Sequence, residues 1–99
     1  MEEYVNLCFL REGESGIIAS GPVNEKNPDD GMALRLLDLG FCEGEKVRCV
    51  MESLSRRGPK AYLIKGSIIV LRASDSAKIR VIPASEKEAA AITRRAYEN

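Results

Sequence analysis

The chain has 99 residues, with fifteen basic and fifteen acidic side chains in balance and no histidine. That length fits one domain with a thin core, and the neutral balance provides no global field toward nucleic acid or an anionic membrane. No apolar run approaches the roughly 18 residues of a membrane span, and the acidic start Met1-Glu2-Glu3-Tyr4 is unlike a secretory leader. The odd count of three cysteines argues against a disulfide framework and for a reducing compartment. The expectation is a soluble cytoplasmic protein with no direct membrane insertion.

Val5 to Leu10 is apolar except for Asn6. It reads either as an edge strand or as one helical turn, capped by Asn6, that brings Leu7 and Leu10 together. Gly13-Glu14-Ser15-Gly16 is a turn, and Ile17-Ile18-Ala19 a short strand stopped at Gly21-Pro22. The polar stretch Asn24 to Gly31 reads as a surface loop, with Asp29 or Asp30 placed to cap a helix beginning after it. In that helix Met32, Leu36 and Leu39, with Ala33 and Leu37, form an apolar stripe at helical spacing, while Arg35 and Asp38 face outward. Gly40 supplies the left-handed residue that ends this short helix, and Phe41 folds back onto Leu36.

Beyond the second turn glycine, Gly44, Val47, Cys49 and Met51 alternate with Arg48, Val50 and Glu52 in a strand over 46–52. After the polar loop holding Arg56-Arg57-Gly58-Pro59, strands over 60–65 and 67–72 form a hairpin around Gly66. Ala73 to Ala77 is a turn, in the open or the 3₁₀ form, before the strand Lys78 to Ile82, which Pro83 ends. Ser85 and Glu88 fit a capping box that opens a weakly amphipathic tail. The sum is a mainly β fold: a small barrel of about five strands, one short helix inserted, and a C-terminal helical or flexible tail. The boundary falls at 1–83 for the barrel and 84–99 for the tail.

Little in the chain supports catalysis or a cofactor. Without histidine the commonest general base and nitrogen ligand are missing, and Cys8, Cys42 and Cys49 match neither a CxxC pair nor a closed zinc site. No phosphate-binding glycine loop or nucleophile elbow occurs. Glu12-Gly13-Glu14 and Glu43-Gly44-Glu45 read as solvated turn charges, a commoner role for such pairs than holding a hard cation or sharing a proton. Only Tyr4, Phe9, Phe41, Tyr62 and Tyr97 are aromatic, which disfavours a proline-peptide groove and base stacking.

Four blocks in order resemble the ferrous iron transport protein A family. They are Gly13-Glu14-Ser15-Gly16-Ile17-Ile18; Arg35-Leu36-Leu37-Asp38-Leu39-Gly40-Phe41 with Glu43-Gly44; Gly58-Pro59 leading to Gly66; and Ile69-Val70-Leu71-Arg72 with Ala77 and Ile79. The resemblance covers about Leu7 to Ile82 and implies an SH3-like barrel. It implies a non-enzymatic accessory of bacterial ferrous iron uptake, whose partner is ferrous iron transport protein B, a membrane transporter with a cytosolic guanine-nucleotide-binding domain. It does not imply that this chain itself holds iron. Related barrels end iron-dependent repressors, but residue 1 lies close to the barrel, so a free-standing protein is expected.

The leading expectation is therefore a docking surface at the apolar corner of Leu36, Leu39 and Phe41. Its partner-binding residues are Arg35, Leu39, Phe41, Arg56, Arg57 and Arg72. The alternatives are a nucleic-acid-binding SH3-like module using Arg48, Arg56, Arg57 and Lys60, or an iron-responsive regulatory domain in which iron reaches Cys42 and the Glu43 and Glu45 carboxylates. Open strand edges leave room for a homo-oligomer, with Lys46, Lys60, Lys65 and Lys78 near the strand ends as guards.

Overall fold

Alternating apolar residues in the middle of the chain build an antiparallel sheet, and the segments around it close its inner face. The computed structural model describes residues 4–20, 31–55, 58–85, 87–88, 90–91 and 94. Its strands are β1 Val5–Asn6, β2 Ser15–Ser20, β3 Lys46–Glu52, β4 Lys60–Ile64, β5 Ser67–Leu71 and β6 Arg80–Pro83. Helix α1 spans Gly31–Asp38 and α2 spans Ala73–Ser76. The six strands lie in the order β1-β6-β2-β3-β4-β5, with every neighbouring pair antiparallel.

The ambiguous N-terminal segment is both things the sequence allowed. Val5 and Asn6 pair with Val81 and Arg80, adding a strand to the five expected. Leu7–Phe9 then turns as a 3₁₀ helix in which the Leu10 amide donates to the Leu7 carbonyl at 3.1 Å. Leu7 and Leu10 are thereby both fully buried. The Asn6 side chain makes no capping bond.

β2 runs between β6 and β3, and its backbone passes so close to β6 that only glycine fits at residue 16. A Cβ there would lie 2.5 Å from the Ile82 carbonyl oxygen. Pro83 lies within β6, opposite Gly16, rather than after it. It is tolerated near the end of a strand, where one missing donor costs little.

Val47 and Cys49 point into the core as alternation requires, but Met51 does not. The register shifts between Cys49 and Met51, and this bulge turns Met51 out to solvent. Tyr62 and Ile64 of β4 complete the inner face with Leu71, Ile79 and Val81. The Tyr62 hydroxyl makes no hydrogen bond of good geometry. Its neighbour Ser76 lies 3.2 Å from the Ala73 carbonyl and 3.3 Å from that of Arg72. Burial accordingly pushes the phenol well above its usual range.

The β4–β5 hairpin turns through Lys65 and Gly66 at φ 49° and 80°, a two-residue turn of the primed type rather than a one-glycine link. The segment after it, expected as a turn, is the single helical turn α2. Beyond β6, the Glu88 amide donates to the Ser85 hydroxyl at 3.1 Å, one half of the expected capping box. Lys87, Glu88, Ala90, Ala91 and Arg94 are helical. The polar loop over 24–30, with Asp29 and Asp30, lies outside the described residues.

Candidate partner-docking corner

Helix α1 is brought to the sheet by its C-terminal end. The Phe41 amide donates to the Leu36 carbonyl at 3.1 Å and the Gly40 amide to that of Leu37 at 3.0 Å. This paired pattern is the Schellman motif, and it requires the positive φ of 111° found at Gly40. Leu36 and Phe41 are fully buried, so the apolar contact that accompanies the motif is part of the core. Covering a side chain the size of Phe41 stabilises the fold by about 1.5–3 kcal/mol.

That burial corrects one expectation. Phe41 is not a contact for a partner; it fixes the angle at which α1 leaves the sheet. The rest of the helix corrects another. Leu34 and Leu36 are two positions apart and so point to nearly opposite sides of a helix. With Leu36 inward, Leu34 stands 58% exposed, Leu37 39% and Leu39 36%. Arg35 and Asp38 are exposed beside them, as expected. The apolar stripe thus splits into an inner anchor and an outer ridge of Leu34, Leu37 and Leu39. The signal in the sequence was the crowding of apolar residues in eight positions, more than one face can bury.

Around the ridge the polar groups are held in place. The Cys42 thiol sits 3.5 Å from the Leu37 carbonyl and donates to it. The Lys65 stem passes under the helix end, 3.1 Å from where a Gly40 Cβ would stand, and its ammonium meets Glu45 at 3.6 Å. Cys42 and Glu45, two members of the conceivable iron site, therefore have protein partners already. Among the described residues no group of three or more His, Cys, Asp or Glu side chains is placed to hold a metal ion.

The opposite end of the hairpin is built around Lys60. Its ammonium is buried and donates to the carbonyls of Cys8 at 2.8 Å and Leu10 at 2.7 Å, with Glu52 at 3.6 Å. It neither guards an edge nor joins a basic nucleic-acid surface; it ties β4 to the 3₁₀ turn. Burial alone would raise the Glu52 carboxyl, but the Glu12 amide and the Lys60 and Arg11 cations together hold it below the usual value. Burial pushes the Cys8 and Cys49 thiols up, against the opposing pull of Lys60.

This geometry separates the expected site residues. Arg72 follows Leu71, which pairs with Lys60, whereas the Lys65 turn lies under Gly40. The two ends are five residues apart, roughly 17 Å along a strand. Arg35 and Leu39 therefore share the α1 corner, and Arg72 belongs to the other end with Ser53, Ser55 and Pro59. Arg56 and Arg57 lie outside the described residues.

The FeoA domain model matches residues 5–83. The chain belongs to the FeoA domain family. A FeoA from Stenotrophomonas maltophilia, solved in complex with zinc, has a TM-score of 0.66 at 27% identity over 76% of this chain and 86% of that one. It is described as an SH3-domain protein put forward as a bacterial ferrous iron transport activating factor. A FeoA-like protein from Clostridium acetobutylicum reaches a TM-score of 0.71 at 17% identity, over 87% of this chain and 93% of that one. A manganese-dependent transcriptional repressor shares the fold, with a TM-score of 0.65 at 19% identity over 84% of this chain and 43% of its own length. No curated protein sequence matches the chain. The FeoA domain here is thus an SH3-like fold, mainly β, with α1 inserted between β2 and β3.

Proposed function

We propose that this FeoA-domain chain is a non-enzymatic, cytoplasmic accessory of bacterial ferrous iron uptake that docks on the cytosolic part of ferrous iron transport protein B. Residues 1–83 form the docking domain and 84–99 an appended segment. Membership of the FeoA family supports the setting. The observation that carries the docking site is the ridge of Leu34, Leu37 and Leu39 beside Arg35, on a helix fixed by Gly40 and Phe41. Apolar side chains on a pre-set helix bind at a low ordering cost, and an arginine at their edge adds a directional contact. Among the described residues no helix is long and apolar enough to cross a membrane. The nucleic-acid alternative loses Lys60 to the core and keeps only Arg48 as an exposed, described member.

The test is calorimetric titration of the transporter's cytosolic region with wild type and with Leu34→Glu/Leu37→Glu. Both leucines are exposed, so the melting temperature should hold while affinity falls at least about tenfold, the loss of roughly 1.4 kcal/mol. A folded double variant that binds as wild type does would overturn the assignment.

A further inference from the structure

Strand β5 ends the sheet, and nothing in its sequence guards it. Ser67-Ile68-Ile69-Val70-Leu71 has no charge and no proline, and among the described residues β5 pairs only with β4. In a two-residue hairpin the positions flanking the turn, here Ile64 and Ser67, exchange both hydrogen bonds with each other, and every second pair does the same. Ile69 opposite Tyr62 and Leu71 opposite Lys60 therefore bond to β4. The amides and carbonyls of Ile68 and Val70 point the other way. Among the described residues they take part in no backbone bond outside the sheet.

The side chains of the same two residues lie on the outer face. Ile68 is 64% exposed and Val70 66%. Register puts Leu63 beside Ile68, and Ala61 then Met51 beside Val70, so the outer face carries two short apolar rows up to the edge. Leu63 and Met51 are exposed as well. Together these side chains offer on the order of 400 Å², the size of the largest apolar patch on a typical monomer, which is often functional.

We propose that β5 pairs with β5 of a second copy, antiparallel about a two-fold axis at Ile69, joining the two sheets edge to edge. That register sets Ile68 opposite Val70 of the second copy and Val70 opposite its Ile68. All four outward backbone groups then find partners, and each apolar row runs on into the other molecule. The flanking charges do not clash, because Arg72 falls opposite Gly66 and Lys65 opposite Ala73. Edge pairing covers the backbone of β5 and the flanks of Ile68 and Val70, well under the ~800 Å² per partner of a standard interface, so the pair is weak. It uses neither Leu34 nor Leu37, and stands or falls independently of the transporter reading.

Sedimentation of the full chain from about 10 µM to about 1 mM spans the range of weak association. The mean mass should climb from 10.9 kDa toward twice that, and amide exchange at Ile68 and Val70 should slow with concentration. Ile68→Lys/Val70→Lys should weaken association at least tenfold. Val70→Pro should do the same, since it removes an amide that faces away from β4. A chain still monomeric at the top concentration overturns the proposal and leaves the edge to a foreign strand. So does a dimer indifferent to both variants, or one lost only with the lysines, which would be face-to-face packing. If either variant fails to fold, concentration-dependent exchange at Ile68 and Val70 in wild type decides alone.

Discussion

Replacing Lys60 with methionine tests whether the buried ammonium holds the N-terminal turn to the sheet. Methionine keeps most of the stem and removes the charge, so packing is nearly preserved. What disappears is a pair of short charge-assisted hydrogen bonds, at 2.7 and 2.8 Å, to the carbonyls of Leu10 and Cys8. Bonds of this kind are worth about 1.5–3 kcal/mol each, and the orphaned carbonyls cost further. Against that stands the relief of no longer burying an ammonium, several kcal/mol in the other direction. The net expectation is a loss of about 2–4 kcal/mol, because both carbonyls are left without a donor. For a domain of this size that lowers Tm by at least about 8 °C. Urea melts monitor the global loss, and amide exchange at Leu7 and Leu10 should accelerate most. Glu52→Gln is the control. Its ion pairs with Lys60 and Arg11 are long, at 3.6 and 3.7 Å, and partly solvated, so it should cost under about 1 kcal/mol. A Lys60→Met loss below about 1 kcal/mol, or one matched by Glu52→Gln, would refute the assignment of the clamp to the carbonyls.

Acid titration isolates Glu52. Its carboxyl lies below the ordinary value of 4.5 in the fold. Its contribution is therefore complete above that value and is lost as the pH falls through the lower folded one. Urea midpoints measured between about pH 5.5 and pH 2.5 should drop less steeply for Glu52→Gln than for wild type, and equal slopes would count against the shift. Gly40→Ala should cost about 1–2 kcal/mol, since alanine is strained at a φ of 111°. The Lys65 stem that a Cβ would meet at 3.1 Å can yield. A melt unchanged by the substitution would mean that the helix stop does not depend on that glycine.

Local chemistry is readable wherever one residue type decides the outcome. Gly40 stands out as the helix stop because no other side chain takes that φ cheaply, and Phe41 comes with it as the apolar companion. The strand 46–52 shows in its alternation, and the Ser85 cap in its spacing to Glu88. The features that escape depend on pairing. Met51 alternates in phase with Cys49, and only the bulge opposite β4 reveals that it faces out. Lys60 looks like an end-of-strand guard, because sequence cannot show that two carbonyls fifty residues earlier wait for its ammonium. Leu37 reads as inward with Leu36, yet among the described side chains of α1 Leu36 alone is buried. Arg72 groups with Arg35 by composition, and the hairpin carries them to opposite ends.

The two apolar exposures differ in kind, and the difference bears on specificity. On α1 the backbone bonds are closed within the helix and its Schellman end, so the ridge offers side-chain shape alone. A partner must match the spacing of Leu34, Leu37 and Leu39 and the position of Arg35, which few surfaces do. On β5 the backbone of Ile68 and Val70 is itself the recognition element, and any extended strand can meet it. Such an edge discriminates poorly by chemistry, so its occupant is set by local concentration and by symmetry. A second copy has the advantage there, because one axis satisfies both edges at once. On the proposed docking role, a selective contact with a large partner belongs to α1, where a single misplaced leucine breaks the fit.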